Sequence, residues 1–365
     1  MQLVFWISLA GIVYTYAGYP LLLACVGRKK PFVAGHITPS VSILLAARNE
    51  EANLSRKLAS LRAIRYPGHL VQIVIASDGS TDGTNDLLRA APDVVPVLIH
   101  PSVGKAEAMN QAVQAATGEI LICLDVRQTL DPDAVQELVN CLADPEVGAV
   151  SGELLLVDAD GAPSTDGLGL YWKLEKLTRR LESATGSVVG VTGAIYAMRR
   201  ALFQPIPPGT LLDDVLIPMQ VARLGKRVVF HPGAIARDHI FAEPGKEFGR
   251  KVRTLTGNFQ MLQLAPWLLG PENPLLLRLI SHKLLRLIVP FLLLTLLISS
   301  ALAPAPLYRL SFGLQLLFYS LAFLGLVMPK TRPLRAVGIP YTFVMLNTAA
   351  LMAFRNFILG RARWG

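Results

Sequence analysis

Charge is scarce in this chain: Asp, Glu, Lys and Arg make up 17% of its 365 residues, against 52% hydrophobic residues. Mean hydropathy is +0.44, well above that of an ordinary soluble enzyme. Cysteine is scarcer still. Cys25, Cys123 and Cys141 have no metal-ligand spacing and offer no disulfide framework, which places the polar part of the chain in a reducing compartment. No Gly-x-Gly-x-x-Gly follows the first predicted strand and no Walker loop occurs anywhere, which excludes a dinucleotide fold and a P-loop NTPase. The net charge of +9 lacks the basic stripe with interleaved aromatics of a single-strand binder, so no nucleic-acid partner is expected.

Long apolar runs, by contrast, are present at both ends. Residues 3–26 carry no charge and stop at Arg28-Lys29-Lys30. About 20 apolar residues span a bilayer, and a cleaved signal peptide would carry its positive charge before the run, so a membrane helix over 1–27 is expected with its basic end inside. Residues 284–303 and 307–328 are two more runs, divided at Ala303-Pro304-Ala305-Pro306. A fourth, 336–358, is interrupted by Asn347 and Arg355. Four crossings from an outside N-terminus leave Arg361 and Arg363 outside, against the positive-inside tendency. Either the last segment is re-entrant or interfacial, or the tendency is broken. Arg28-Lys29-Lys30, Arg250-Lys251 and Lys330-Thr331-Arg332 flank apolar segments and suit an anionic cytoplasmic leaflet. The expected location is the inner (plasma) membrane, multi-pass, with the polar domain cytoplasmic.

That polar domain alternates. Apolar runs at Val41–Ala47, Val71–Ala76, Val94–Ile99 and Glu119–Leu124 are separated by amphipathic stretches near 52–63, 82–90 and 105–116. The pattern predicts an α/β domain with a Rossmann-like, mostly parallel sheet and flanking helices. Ligands of such sheets bind beyond the carboxyl ends of the strands, where Arg48-Asn49-Glu50, Asp78-Gly79-Ser80 and Asp125 stand. Each acid has a plainer alternative. Asp78 suits an Asx-turn before Gly79, and Asp131-Pro132 reads as a helix N-cap with proline at the first position. Asp213-Asp214 open the helical stretch 215–224, where first-turn acids complement the helix dipole. Asp125 ends an apolar strand, a costly place for a carboxylate that meets neither a metal nor a donor.

Taken together, residues 38–270 resemble the family-two glycosyltransferases, which have the GT-A fold. Ala46-Ala47-Arg48-Asn49-Glu50-Glu51 is similar to the first-strand nucleotide motif. Ser77-Asp78-Gly79-Ser80-Thr81-Asp82-Gly83-Thr84 resembles the Asp-Asp-Gly-Ser-x-Asp-x-Thr turn, with Ser77 in place of its first aspartate. Gly104-Lys105 with Asn110 matches Gly-Lys-x-x-x-x-Asn, and Asp125-Val126-Arg127 stands where the family has Asp-x-Asp. Thr192-Gly193-Ala194 is similar to the small-residue strand beside the donor sugar, and Asp213-Asp214 to the Glu-Asp pair.

The resemblance implies an inverting transfer from a nucleotide-diphosphate sugar, uridine-linked, to a membrane-associated acceptor such as a polyprenyl-linked saccharide or glycolipid. It makes Asp214 the base, with Asp213 beside it. Ala47, Arg48, Asn49, Glu50, Asp78, Lys105, Asn110, Asp125, Arg127, Thr192 and Gly193 are assigned to the donor, and a divalent metal, Mg²⁺ or Mn²⁺, to Asp125. Oxygen ligands suit those ions, and the ion offsets charge on the leaving diphosphate.

Two departures qualify this. Arg127 replaces the second carboxylate, so either the ion has one protein carboxylate with Arg127 assisting, or Arg127 itself faces the diphosphate. Where processive members have Gln-x-x-Arg-Trp, this chain has Arg250-Lys251-Val252-Arg253-Thr254, which argues against the rival reading of a processive exopolysaccharide synthase. The second rival is a non-catalytic nucleotide-sugar-binding subunit of a membrane assembly.

The stretch around Arg250 has its own periodicity. Phe248, Val252, Leu255, Phe259 and Leu262 form an apolar row, and Arg250, Arg253, Gly257 and Gln260 lie on another side. A helix in the interface would bury the first row in lipid and turn Arg250 and Arg253 to the diphosphate, unless its basic face is merely solvated. Trp267 suits an interfacial belt, and His282 and Lys283 suit headgroup contact before a span. The stretch 168–182, with Tyr171-Trp172, Lys173, Lys176, Arg179 and Arg180, suits the acceptor site, headgroups or core packing. His239 beside Asp238 reads as structural. The expected organisation is a membrane helix (1–27), a cytosolic GT-A domain (36–240), interfacial helices (241–283) and a C-terminal membrane region (284–365).

Overall fold

The computed structural model describes residues 1–157, 168–239 and 244–360. The first helix runs from α1 (Gln2–Val13) through a π-helical turn, Tyr14–Gly18, into α2 (Tyr19–Val26). There follow β1 (Val41–Ala47), α3 (Glu51–Arg62), β2 (Val71–Asp78), α4 (Thr84–Arg89), β3 (Val94–Ile99), α5 (Lys105–Gln114) and β4 (Ile120–Leu124), the alternation read from the sequence. β5 (Thr129–Leu130), α6 (Ala134–Cys141), β6 (Val147–Val157), α7 (Leu168–Ala184), β7 (Tyr196–Arg199), α8 (Asp213–Arg223) and β8 (Arg227–His239) complete the domain. Beyond it lie α9 (Pro244–Leu264), α10 (Leu276–Leu279), α11 (Leu285–Leu302), α12 (Pro306–Val327) and α13 (Arg335–Ile358).

One sheet has the order β3-β2-β1-β4-β7-β6-β8-β5. β1, β2, β3 and β4 are mutually parallel where they pair, and β6 is parallel to β8, while β7 and β5 run antiparallel to their neighbours. β1 is covered on both faces, which is why its sequence is a continuous apolar run. Side chains alternate between two cores by the period of two. Leu44, Val74 and Leu121 pack with α5 and α8, and Ile43, Leu45 and Ile75 with α3 and α6. Pairing of Ala47 with Ser77, and of Leu45 with Leu124, brings the chain at Arg48, Asp78 and Asp125 out at one edge.

Asp131 does not cap α6. That helix begins at Ala134 after Asp133. Antiparallel pairing of β5 with β8 sets Arg237 beside Asp131, whose oxygens accept from its guanidinium at 2.7 and 2.9 Å.

Four helices are long and apolar enough to cross a membrane: Gln2–Cys25, Leu276–Leu302, Pro306–Val327 and Arg335–Ile358. The second begins at Leu276 rather than at 284. Arg278, His282 and Lys283 interrupt the apolar pattern there, yet the helix continues because α7 supplies their partners. Arg278 donates to the carbonyls of Glu182, Thr185 and Ser187. His282 is 2% exposed between Glu175 and Glu182, which overturns the headgroup role expected of it. Arg361 and Arg363 lie outside the described residues.

α9 also departs from expectation. Its apolar row is met by protein: Phe259 stands 5.6 and 5.4 Å, centroid to centroid, from Phe354 and Phe357 of α13. Trp267 packs against the domain core with the Arg223 guanidinium 4.8 Å from its ring centroid, rather than standing free as a belt residue.

Candidate active site

The turns after β1 and β2 are stitched together. Asn49 takes the left-handed conformation, φ 53°, which asparagine tolerates better than most residues. Its amide donates to Ser80 Oγ at 3.1 Å and its Oδ1 accepts from the Thr81 amide at 2.8 Å. The Glu50 amide donates to Thr84 Oγ1 at 2.9 Å, and Glu50 Oε2 accepts from Asn53 at 2.8 Å. Ala47 is buried beneath, and Arg48 and Asn49 face outward.

Asp78 is almost wholly buried, and both of its oxygens accept from the loop entering α5. Ser102 Oγ, the Val103 amide and the Gly104 amide donate to it at 2.9, 2.6 and 3.0 Å. Gly104 has φ +92°, which lets the backbone turn into α5 directly before Lys105.

Lys105 joins the acids. Its Nζ lies 3.1 Å from Asp125 Oδ1 and 3.2 Å from Asp213 Oδ2. Burial would favour its neutral form, but Asp125, Asp213 and Asp214 together hold it well above the usual lysine range. Asp213 is 4% exposed and Asp125 remains open, its side chain 40% exposed. Asp214 is pushed up to about 6, first by burial and then by Asp213, against the opposing charges of Lys105 and Lys283. Gly193 lies between Asp125 and Asp214. A Cβ on it would stand 3.3 Å from Asp125 Oδ2 and 3.8 Å from Asp214 Cβ. The turn carrying it is fixed by the Val191 amide on the Asp214 carbonyl, 2.9 Å, and by the Thr192 amide on Ser151 Oγ, 3.1 Å.

Two predicted donor residues lie elsewhere. Asn110 follows Lys105 by five positions, about 140° around the helix, and exchanges both amide atoms with the backbone of Ile206, at 2.9 and 3.0 Å. Arg127 pairs bidentately with Asp238, a buried carboxylate that also accepts from Gln128 at 3.1 Å. Neither reading of Arg127 included that partner, which lies at the far end of β8, 111 residues away. Gly257 and Gln260 of α9 face the loop before Asp213. Gly257 packs on Leu211 and Leu212, and Gln260 accepts from the Leu211 amide at 3.0 Å and donates to the Gly209 carbonyl at 2.9 Å. Arg250 is half-buried and Arg253 exposed on the same helix.

Lys57 was not anticipated as part of the site. Completely buried, it donates to the Gln128 carbonyl at 2.9 Å, while Arg56 reaches the Arg127 carbonyl at 3.0 Å. Burial brings Lys57 down to about 7 despite the nearby Asp125. Its signal was in the sequence. Leu54, Leu58 and Leu61 mark the inward face of α3, and Lys57 falls on that face.

One carboxylate, a lysine bridging it to an acid pair, and a glycine between them form a compact charged cluster at the sheet's carboxyl edge. Residues 42–206 match the family model described as Glycosyl transferase family 2. That match covers a little under half of the chain, and over it the chain resembles family-two glycosyltransferases. The poly-beta-1,6-N-acetyl-D-glucosamine synthase of Staphylococcus aureus is 23% identical over 266 residues, 71% of this chain and 63% of that protein. An N-acetylglucosaminyltransferase of Azorhizobium caulinodans is 26% identical over 219 residues, 55% of each chain. These alignments span little more than half to five-eighths of the curated relatives. The fold is that of a mannosyltransferase from Pyrobaculum calidifontis solved with GDP-Man and Mn²⁺, at 22% identity, a TM-score of 0.71, and coverage of 97% of this chain and 99% of that one.

Proposed function

We propose that this chain transfers a single sugar from a uridine-diphosphate donor, with N-acetylglucosamine as the sugar to test first, to a lipid-linked acceptor at the membrane. The observation that carries the reading is Gly193, which keeps side chains out of the space between Asp125 and Asp214. A sugar seated there has the diphosphate end beside Asp125 and Lys105 and its opposite face toward Asp214. The sugar choice rests on the two bacterial relatives, both named for N-acetylglucosamine chemistry.

In this reading the stitched turns at Asn49–Glu50 and Ser80–Thr84 seat the nucleotide, while Asp78 holds the Val103–Gly104 loop so that Lys105 reaches inward. Asp214 takes the proton of the acceptor hydroxyl as that oxygen attacks the anomeric carbon opposite the leaving diphosphate, which inverts the centre. A carboxyl raised to about 6 is still largely ionised at neutral pH and more basic than an ordinary aspartate. Lys105 offsets charge around the acid pair and remains a fixed cation.

A divalent ion fits with one protein carboxylate. Among the described residues no group of three His, Cys, Asp or Glu converges on a common point. Asp125 does present an open carboxylate whose Oδ2 lies toward Gly193, and Mg²⁺-type ions are commonly held by one or two carboxylates plus substrate phosphates and water. When bound, such an ion would stabilise charge gathering on the leaving phosphate.

The processive alternative is favoured by the name of the staphylococcal relative. Supplying the purified full chain with UDP-N-acetylglucosamine or GDP-mannose, Mn²⁺ and bacterial lipid extract separates the readings. Single-sugar transfer predicts one sugar per lipid from the uridine donor. A ladder of longer products would establish the polymerase, and binding without turnover of either donor would establish a non-catalytic subunit.

A further inference from the structure

A cleft of about 310 Å³ lies where the chain leaves its first long helix, at the small end of the range of ligand clefts. Its lining includes Lys30, Phe32, Arg180, Phe230, His231 and Pro232, and none of the acids around Lys105. Gln2–Cys25 is long and apolar enough to cross a membrane, and Lys30 follows the end of α2 at Val26 by four residues. Fully extended, such a segment reaches about 14 Å. The end of that helix also rests on the end of α7. A Cβ on Gly27 would stand 2.4 Å from Thr185 Cγ2, next to the cleft residue Ala184. With Gln2–Cys25 in a bilayer, the cleft therefore stands at the headgroup layer on the domain's side.

The wall of this cleft is locked in place. The Lys30 amide donates to the Ala184 carbonyl at 2.7 Å. The Arg227 guanidinium gathers the carbonyls of Lys30, Pro31, Ser183 and Gly186 at 2.7, 3.3, 3.2 and 3.2 Å. The Phe230 amide donates to Ser183 Oγ at 2.9 Å. Lys30 takes part through its main chain alone, which any residue could supply, so the clamp fixes a backbone and leaves the lysine side chain unexplained. That side chain is exposed and has no carboxylate partner among the described residues. Arg180, also exposed, lies 3.7 Å from Glu153, a carboxylate that Lys176 already meets, so two cations share one acid. His231 is paired with Glu137 at 2.7 Å and adds no surplus charge. The cleft is left with an excess of positive charge, and Arg28 and Lys29 stand exposed just before it.

We propose that this cleft binds the phosphate-bearing headgroup of one anionic phospholipid, with Lys30 and Arg180 on its phosphate and Phe32 and Pro232 against its glycerol. Such a site differs from the diffuse attraction of a basic segment to a charged leaflet, because its cations are carried on a fixed backbone around a formed cavity. Its place beside the end of Gln2–Cys25 and its mostly apolar wall favour a lipid over a soluble phosphate. A lipid held there fastens the end of α7 to the leaflet. The proposal does not depend on the transfer reaction.

The test is native mass spectrometry of the full chain released from detergent, titrated with phosphatidylglycerol or with phosphatidylcholine of the same acyl chains. Wild type should retain one phosphatidylglycerol, at least about tenfold more tightly than phosphatidylcholine. Lys30→Gln with Arg180→Gln should weaken that retention about tenfold or more, while Arg28→Gln with Lys29→Gln changes it less than about twofold. Ala184→Phe, which fills the cleft and leaves every charge in place, should lose the lipid as well. All of these positions are exposed, so the substitutions leave the packing intact. Equal retention of the two lipids, equal losses in the two charge variants, or undiminished retention by Ala184→Phe overturns the proposal. Displacement of the lipid by inorganic phosphate at equal concentration would make this a site for a soluble anion and overturn the lipid assignment. Absence of sugar transfer by wild type would defeat the functional reading and leave this test standing.

Discussion

At the residue scale the centre depends on what lies between its charged groups as much as on the groups themselves. Gly193→Ala places a methyl 3.3 Å from Asp125 Oδ2, tighter than ordinary contact. The expected outcome is a folded protein whose donor Kd, read by calorimetry, weakens about tenfold or more as the sugar space fills. Asp214 sets the pH dependence. Its carboxyl is raised by burial and by Asp213 to about 6, and the base is lost as pH falls through that value. Initial rates should fall below pH 6 and level off above it. Lys57 gives a stability signature of the opposite kind. Burial lowers it to about 7, so between pH 7 and roughly 10 the unfolded chain binds the extra proton, and stability rises with pH across that window. Thermal melting of wild type should show the rise, and Lys57→Met should lack it.

Elements carry these residues to the site, and here sequence periodicity was a good guide to some and blind to others. The four parallel strands and their helices were legible because β1, β2 and β4 are buried and apolar while α3 and α5 are amphipathic. The acids at the strand ends were legible as positions, since they follow directly on the apolar runs, while their roles came only from the family resemblance. Long-range pairing left no such trace. Asp238 as the partner of Arg127, and Glu175 and Glu182 as partners of His282, are matches between residues about a hundred positions apart. The amphipathicity of α9 was plain, but a stripe made to meet Phe354 and Phe357 reads the same as one made to meet lipid. Two element-scale outcomes follow. Gln260→Ala removes both bonds to the loop at 209–211, so kcat should fall with donor affinity retained. Asp238→Asn leaves the Arg127 guanidinium poorly matched and should cost on the order of 3 kcal/mol in a denaturant titration, part of which returns in Arg127→Met with Asp238→Asn.

On the scale of the whole molecule, the long apolar helices and the α/β domain pack on one another. α7 docks on the first and second spans through Tyr19, Glu175, Glu182 and His282, and α9 ties the fourth span to the loop before Asp213. The loop before Asp213 is thus linked through α9 to a helix long and apolar enough to cross a membrane, which suits the bilayer-anchored acceptor proposed above. Removal of α12 and α13 should abolish activity even where the remaining chain is soluble, because α9 loses the aromatic face it packs against. Rates of the truncated and full chains under one detergent condition would check this.

The most direct test of the account is transfer of labelled N-acetylglucosamine from its uridine-diphosphate donor into lipid extract by wild type and Asp214→Asn, with donor binding measured on both. The account predicts equal binding and a loss of transfer of about a hundredfold or more in the variant. Equal transfer by the two proteins would contradict it.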